Sequence, residues 1–339
     1  MSVVPFRERS ARAQVLHLRG TALRALGAYP VPVARLRLLF HGYNTTFRVD
    51  STDGRRFALR ISVNSRKAPS DLRAEMAWLD ALARSTELSI PVPQRTSDGA
   101  LTTEVFDGAL GRSLPAALFG WLPGPDLDAI ATPFHVRALG RAMAALHTHA
   151  EGWVVPDDAT FPVSDDVLMH GTDHLSRPHP LLTADRRSVI GHVLDQVQRH
   201  YTAIYSSAPV HVLHADLHLG NAKWSRGRLS VFDFDDCVVG VPMHDLAVST
   251  YYLRPDRGLE DALQQGYASA RPLPDCAGEP FEASVAGRGL LLLNELIGTE
   301  TADFVQLLPR FVANLDLKLR HYLDAGEFRH DLDGVVPLT

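Results

Sequence analysis

Val212-Leu-His-Ala-Asp-Leu-His-Leu-Gly-Asn221 and Val231-Phe-Asp-Phe-Asp-Asp236 are the two stretches on which the fold turns. The first sets two imidazoles, a carboxylate and a carboxamide in one loop. The second ends an apolar run with three carboxylates, and its Asp233 lies seventeen residues after Asp216. Val210 to Leu213 and Leu229 to Phe234 read as short strands enclosing the polar segment. If those strands are neighbours, Asp216, Asn221 and Asp233 converge at one end of a small sheet. Oxygen ligands of this kind suit Mg²⁺, which keeps several waters and takes one or two carboxylates together with phosphate oxygens. Three readings follow. Phosphoryl transfer needs a carboxylate for the attacking hydroxyl, then an amide and a carboxylate for metal, in this order. A metallohydrolase could instead use His214, Asp216, His218, Asp233, Asp235 and His244 around Zn or Fe. The third reading makes these residues caps of polar turns, and His218 fits that role as well as any other.

The chain upstream separates the first two. Phe47 and Val49, then Phe57, Leu59 and Ile61, alternate around the turn Thr52-Asp53-Gly54, a hairpin that Leu36 to Phe40 extends to three strands. Leu72, Glu75, Met76, Leu79 and Leu82 share one helix face. Strands are expected at Ile90 to Thr96, Leu101 to Phe106 and Leu114 to Leu122, so the order is β-β-β-α-β-β-β. Arg60 then sits in the third strand and Glu75 in the helix that follows. A kinase needs such a buried cation and helix carboxylate to anchor phosphates, and a metallohydrolase does not. After Gly124-Pro125 the periodicity is helical. Thr132-Pro133 reads as a helix start and a second helix begins near Thr183. The region from Pro242 to Ala325 is helical except for a break at Arg271 to Pro280.

The combination His214-x-Asp216-x-x-x-x-Asn221 followed by Val231-Phe-Asp-Phe-Asp-Asp236 resembles the aminoglycoside phosphotransferase and choline kinase family, which includes type II homoserine kinases and stress-response kinases. Gly240-x-Pro242-x-x-Asp245-Leu-Ala247, Trp121-Leu-Pro-Gly124, Leu139-Gly140 and Leu146-His147 are similar to further motifs of that family, so the likeness spans about Gly42 to Ala247. It implies an α+β, bilobal, protein-kinase-like fold. The N-terminal nucleotide-binding lobe (1–120) would carry an antiparallel sheet and a helix, 121–124 would be the hinge, and 125–339 a mostly helical catalytic and substrate lobe. It further implies Asp216 as catalytic base, Asn221 and Asp233 as Mg²⁺ ligands, and Arg60 with Glu75 ordering the phosphates of ATP. Phe119, Gly120, Trp121 and Leu122 would present main-chain groups to adenine, while His214 and Asp245 would brace the catalytic loop. Two positions depart from the kinase pattern. Arg60 stands where protein kinases carry lysine, and a planar fork differs from a compact ammonium. The turn His41-Gly42-Tyr43-Asn44-Thr45-Thr46 has one glycine in place of a glycine-rich loop, leaving backbone amides and the Thr45 and Thr46 hydroxyls for phosphate.

Composition narrows the partners. In 339 residues, Lys+Arg 34 against Asp+Glu 39 gives a net charge of −5, which offers no long-range attraction to nucleic acid. No apolar run approaches the ~20 residues that cross a bilayer. Only Lys67, Lys223 and Lys318 are lysines, a bias that makes arginine at a lysine position unsurprising. The Arg-rich amino terminus is read as a helix, since Val15, Leu18, Leu23 and Leu26 recur near helical spacing before Gly27. Two cysteines, Cys237 and Cys276, make no disulfide framework or metal motif, and a reducing cytoplasm is the expected setting. The acceptor is expected to be a small-molecule hydroxyl on an amino alcohol, amino sugar or amino acid. Glu260, Asp261, Glu282, Glu295, Glu300 and Asp303 are candidate amine partners, and a serine/threonine protein substrate is the alternative.

Overall fold

Thr45–Ser51 alternates buried and half-buried residues along its whole length, the period of a strand with one face against a core. In the computed structural model, which describes residues 4–65 and 67–338, it is β2 of a five-stranded antiparallel sheet. Residues 1–3 and 339, the outer ends of the two expected lobes, lie outside the described residues. The spatial order is β1 (Val33–His41), β2, β3 (Arg56–Ile61), β5 (Arg112–Gly120) and β4 (Thr103–Asp107). Gly54, at φ +85°, makes the tight β2–β3 turn that an L side chain would strain. Helix α1 (Ala11–Leu26) places Leu18 and Ala22 in one apolar cluster with Phe47, Val49, Leu59 and Leu118 of the sheet.

Helix α2 (Pro69–Ser85) carries the expected face, but Met76, Trp78, Leu79 and Leu82 join the core of the helical half. The Trp78 ring meets Phe161 and Phe234 edge-on at 6.3 and 5.6 Å. Glu75 is thereby carried on a helix seated against the helical half. The strand expected at Ile90 to Thr96 is absent. Pro91 and Pro93 have no N–H to give a ladder, so contact with β5 is limited to Gly120 N–H to Val92 O (2.9 Å) and Gln94 N–H to Leu118 O (2.8 Å). The observed order is therefore β-β-β-α-β-β.

The second half contains α3 (Pro133–Gly152), α4 (Ala184–Ser207), α5 (Pro242–Leu253), α6 (Arg257–Ala268), α7 (Gly278–Gly298) and α8 (Ala302–Ala325). Gly140 and Gly266 lie where α3 and α6 cross backbone to backbone. A Cβ on Gly140 would collide with Leu263 O, and one on Gly266 with Arg137 O. Two small two-stranded sheets hold the polar motifs. β6 (His211–Leu213) pairs with β9 (Val238–Gly240), and β7 (Ala222–Ser225) pairs with β8 (Arg228–Val231). The strands flanking the polar loop thus belong to different sheets, not to one. Their ends still meet, because Phe232 N–H donates to Asn221 O at 2.9 Å. No helix among the described residues is long and apolar enough to cross a membrane.

Candidate active site

Asp245 sits fully buried in the first turn of α5 and organises the polar loop from below. Its carboxylate accepts from His147 Nε2 (2.9 Å) and from the main-chain N–H groups of His214 (3.1 Å) and Ala215 (2.6 Å). Burial alone would raise this carboxyl. The His147 hydrogen bond and charge, with help from the Ala215 amide, outweigh it and hold the group below the usual carboxylate range. Ala215 is left-handed at φ +62°, a conformation that costs a residue with a Cβ about 1 kcal/mol or more, and the bonds to Asp245 hold it there. His214 then turns its Nε2 to Phe232 O (3.0 Å), while Nδ1 accepts from Asp216 N–H (3.3 Å). Its ring is buried and its basicity lowered by that burial, so it ties the loop to the end of β8 as a neutral group.

Asp216 and Asn221 form one unit. The Asn221 amide donates to the main-chain O (2.9 Å) and to Oδ2 (2.8 Å) of Asp216, and Asn221 Oδ1 accepts no bond among the described residues. The other oxygen, Oδ1, is bonded by Arg288 of α7 and has His218 Nε2 at 3.7 Å. Burial would raise Asp216, but the Arg288 charge, followed by His218, drives it well below the usual range. Asp216 is therefore a fixed anion.

Asp233 lies two residues beyond β8 in a left-handed conformation, φ +65°, with 39% of its side chain exposed. Its partial burial and the carboxylates of Asp235, Asp216 and Asp236 push it up to about 8, against the pull of Arg60. Asp236 is likewise raised to about 6, by burial and then by Asp216 and Asp235. An ionised Asp233 is thus short of positive charge. A half-exposed carboxylate of this kind beside a free carboxamide oxygen fits a divalent cation held by Asn221 and Asp233.

The sheet supplies the cations. Arg60 on β3 pairs through both nitrogens with Glu75 on α2, at 2.8 Å each, in a buried site. Its Nη1 lies 3.9 Å from Asp233 and its Nη2 3.6 Å from Asp235, and the guanidinium covers the Phe119 ring at 5.3 Å. Asp235 also accepts from Asn44 (2.9 Å) and has Lys67 at 3.6 Å. Burial acting upward is overcome by Lys67 first and Arg60 next, which hold Asp235 down to about 2. Asp235 is thus a counter-ion and tether between the halves.

Several expected residues take more limited places. Thr45 is fully buried and its hydroxyl is bonded to His41 Nδ1 at 2.8 Å, while Thr46 points to the other, more open face of β2. Gly120 ends β5, and Trp121 lies under the Arg48 guanidinium at 5.5 Å, with Leu122 in the following loop. His218 stacks on Tyr252 at 4.2 Å and its Nδ1 accepts Gly220 N–H at 3.0 Å. His244 bonds Ser164. With His214, His218 and His244 each engaged in this way, the metallohydrolase reading is corrected: the histidines scaffold the loops. Of the acidic candidates, Glu260 and Glu282 are paired with Arg254, and Glu295 lies on α7, where the charges of Asp236, Arg288 and Asp216 act on it. Arg288, Lys67 and Asn44 escaped the sequence reading. Asn44 lay inside the quoted turn, and Lys67 stood out as one of three lysines.

A family model described as the phosphotransferase enzyme family matches residues 35–278. Amicoumacin kinase of Bacillus subtilis (strain 168) is 23% identical over 242 residues, 70% of this chain and 69% of that protein. Homoserine kinase of Methylobacterium nodulans is 28% identical over 301 residues, 84% and 88% of the two chains. Among solved structures, the microcompartment-associated aminopropanol kinase has a TM-score of 0.75 at 24% identity, covering 92% of this chain and 99% of its own. An amicoumacin kinase solved with AMP-PNP, Ca²⁺ and Ami has a TM-score of 0.71 at 20% identity, with 90% and 93% covered. The fold is the bilobal, protein-kinase-like one.

Proposed function

The chain belongs to the phosphotransferase enzyme family, and from that premise we propose that it transfers the γ-phosphate of ATP, with Mg²⁺, to the hydroxyl of a small amine-bearing acceptor. The observation that carries this reading is Arg60. It is held by Glu75 on the amino-terminal side, yet its Nη1 lies 3.9 Å from Asp233 on the carboxy-terminal side. A cation fixed between the two halves beside a metal-type carboxylate is what the phosphates of a nucleotide require.

In this reading 1–120 bind nucleotide, 121–124 hinge the lobes, and 125–339 provide the base and the acceptor pocket. Asp216 orients the acceptor hydroxyl and takes its proton. Asn221 and Asp233 hold Mg²⁺, which would neutralise charge on the triphosphate and the leaving group. Arg60, positioned by Glu75, meets phosphate oxygens, joined by Thr46 and the amides of the 42–46 turn. Thr45 would shape that turn through His41. Main-chain groups of Phe119, Gly120, Trp121 and Leu122 serve adenine. His214 and Asp245 keep the loop in shape. Both cysteines are free, in keeping with a reducing cytoplasm.

Glu295 supports an amine on the acceptor, since it is half-buried, has no hydrogen-bond partner among the described residues and faces other carboxylates. Homoserine and aminopropanol, the compounds in the names of two relatives, are both hydroxyl compounds with an amine. A small acceptor is favoured over a protein by the small-molecule acceptors in the names of these relatives.

The test is Mg²⁺-dependent ADP release across a panel of hydroxylated amines, with Asp233→Ala as control. Turnover lost with Asp233→Ala supports the reading. Undiminished Mg²⁺-dependent turnover in that variant would sink it.

A further inference from the structure

The carbonyls at the tip of the 41–46 turn are bonded by side chains from outside it. Gly42 N–H closes the turn on Asn44 O (2.9 Å), but Gly42 O accepts from the Thr301 hydroxyl (2.6 Å) and, at greater length, from Asn64 Nδ2 (3.3 Å). Tyr43 O accepts from Asn64 twice, from its main-chain N–H (3.2 Å) and from Nδ2 (2.9 Å). Asn64 follows β3, whereas Thr301 belongs to the corner between α7 and α8, beyond the 35–278 segment matched by the family model. The Asn64 carboxamide joins the two, since Nδ2 also donates to Thr301 Oγ1 (3.0 Å) and Oδ1 accepts Glu300 N–H (2.8 Å). An amide with two N–H donors and one carbonyl has then committed both its ends to this junction.

Two further contacts seat the corner on the same turn. Gln14 of α1 is fully buried, and its Oε1 accepts Ala302 N–H (3.0 Å) while also meeting His41 Nε2 (3.0 Å); its Nε2 donates to Glu300 O (2.8 Å). The rings of Phe40 and Phe304 both press on Gly42, so that a Cβ built there would come within 2.4 and 3.0 Å of them. The helical half thus grips the tip of an amino-terminal turn through side chains. Just before that tip β1 is irregular, its register slipping between Leu38 and Phe40, and such a bulge is a place where a strand bends.

We infer that the α7–α8 corner is a latch: Asn64 and Thr301 fasten the 41–46 turn shut, and parting these bonds is the step that admits and releases nucleotide. This rests on the proposed function, in which the turn covers the phosphates, and adds the element that controls access to them. The halves are joined covalently at 121–124 and cannot part there. At the turn only hydrogen bonds and ring contacts cross between them, so the entrance opens on that side. Asn64 and Thr301 act through the turn and are positioning residues. A latch differs kinetically from a contact. A group that only contacts the nucleotide changes mainly its off-rate. A latch over the entrance slows entry and exit together, so that releasing it speeds both while affinity changes less.

Stopped-flow fluorescence with mant-ADP and Mg²⁺ measures both rates on the full chain and needs no acceptor. Asn64→Ala and Thr301→Val should each raise the association and the dissociation rate by about tenfold, a factor worth about 1.4 kcal/mol, which is the scale of one or two net hydrogen bonds. Thr301→Ser keeps the hydroxyl and should retain the parent's rates, which separates the lost bond from a general loosening of the corner. Melting temperatures accompany the rates, and Asn64→Ser takes the place of Asn64→Ala should that variant fail to fold. A faster off-rate with an unchanged or slower on-rate makes the two residues supports of a nucleotide contact and overturns the latch. Rates unchanged in both variants overturn it as well, and in either case nucleotide binding by the parent stands. A parent that binds neither mant-ADP nor ATP removes the proposed function and the latch with it.

Discussion

Asn44 and Asp235, 191 positions apart in the chain, are joined by a 2.9 Å hydrogen bond that pins the turn after β1 to the segment following Asp233. In the proposed function this bond would hold the one-glycine turn over the nucleotide phosphates. Asn44 is buried, and its loss leaves a charged oxygen of Asp235 without its donor. A hydrogen bond to a charged group is worth about 1.5 to 3 kcal/mol. Asn44→Ala is therefore expected to weaken ATP-Mg²⁺ binding by roughly tenfold or more, at about 1.4 kcal/mol per decade, with a smaller change in kcat. Titration calorimetry with a non-hydrolysable analogue checks this, and unchanged affinity would show that the turn is held by other means.

Asp245→Ala should act on stability first. It removes the acceptor for His147 and for two main-chain N–H groups in a fully buried place, and it frees Ala215 from its left-handed conformation. Breaking a buried pair by deleting one partner commonly costs about 3 to 5 kcal/mol. Denaturant unfolding should register a loss of that order. A variant as stable as the parent would mean that the loop holds itself.

Acid should destabilise the protein through His244. The ring is buried, stacked on Tyr201 at 4.4 Å, with Nδ1 bonded to Ser164 Oγ and Nε2 unpartnered, and burial lowers its pKa from 6.5 to about 4. Between those values the unfolded chain takes a proton that the folded chain refuses, so stability falls as pH drops from 6.5 to 4. The loss approaches about 3 kcal/mol, from a shift worth 1.36 kcal/mol per unit. His244→Asn keeps a partner for Ser164 and has no proton to gain. Its melting temperature should decline less steeply over that window, and a slope equal to the parent's would place the acid sensitivity elsewhere.

The polar loop was legible in the sequence because its chemistry is local. Asp216, Asn221 and Asp233 lie within two short stretches whose residue types left three readings, and the upstream strands and the family resemblance chose among them. The β2–β3 hairpin and α2 were legible for a similar reason, since alternation and helical recurrence are properties of contiguous residues. Ile90 to Thr96 misled because its apolar alternation is real while Pro91 and Pro93 forfeit the ladder. Pairing of β6 with β9 was hidden by the brevity of Val238–Gly240. Arg288 and Glu295 were the least accessible. One looks like any buried arginine and the other was one acidic residue among several. Their setting comes from α7 bringing Arg288 to Asp216, a tertiary placement that no local pattern encodes.

Asp216→Asn tests the chemistry most directly. Asn221 holds Oδ2 and the main-chain O, Arg288 holds Oδ1, and the residue remains anionic because Arg288 and His218 outweigh its burial. An amide of the same shape preserves the Asn221 contact through its carbonyl but cannot accept the acceptor's proton. Positioning such a base is commonly worth about 10² to 10⁴ in rate. Nucleotide affinity should stay within a few fold, on the order of 1 kcal/mol or less, while kcat falls by at least about two decades. Because the variant turns an amide toward Arg288, its melting temperature is measured alongside, separating a folding defect from a chemical one. Loss of nucleotide binding in a well-folded variant would assign Asp216 to the metal, and an unchanged kcat on a verified acceptor would remove it from the mechanism.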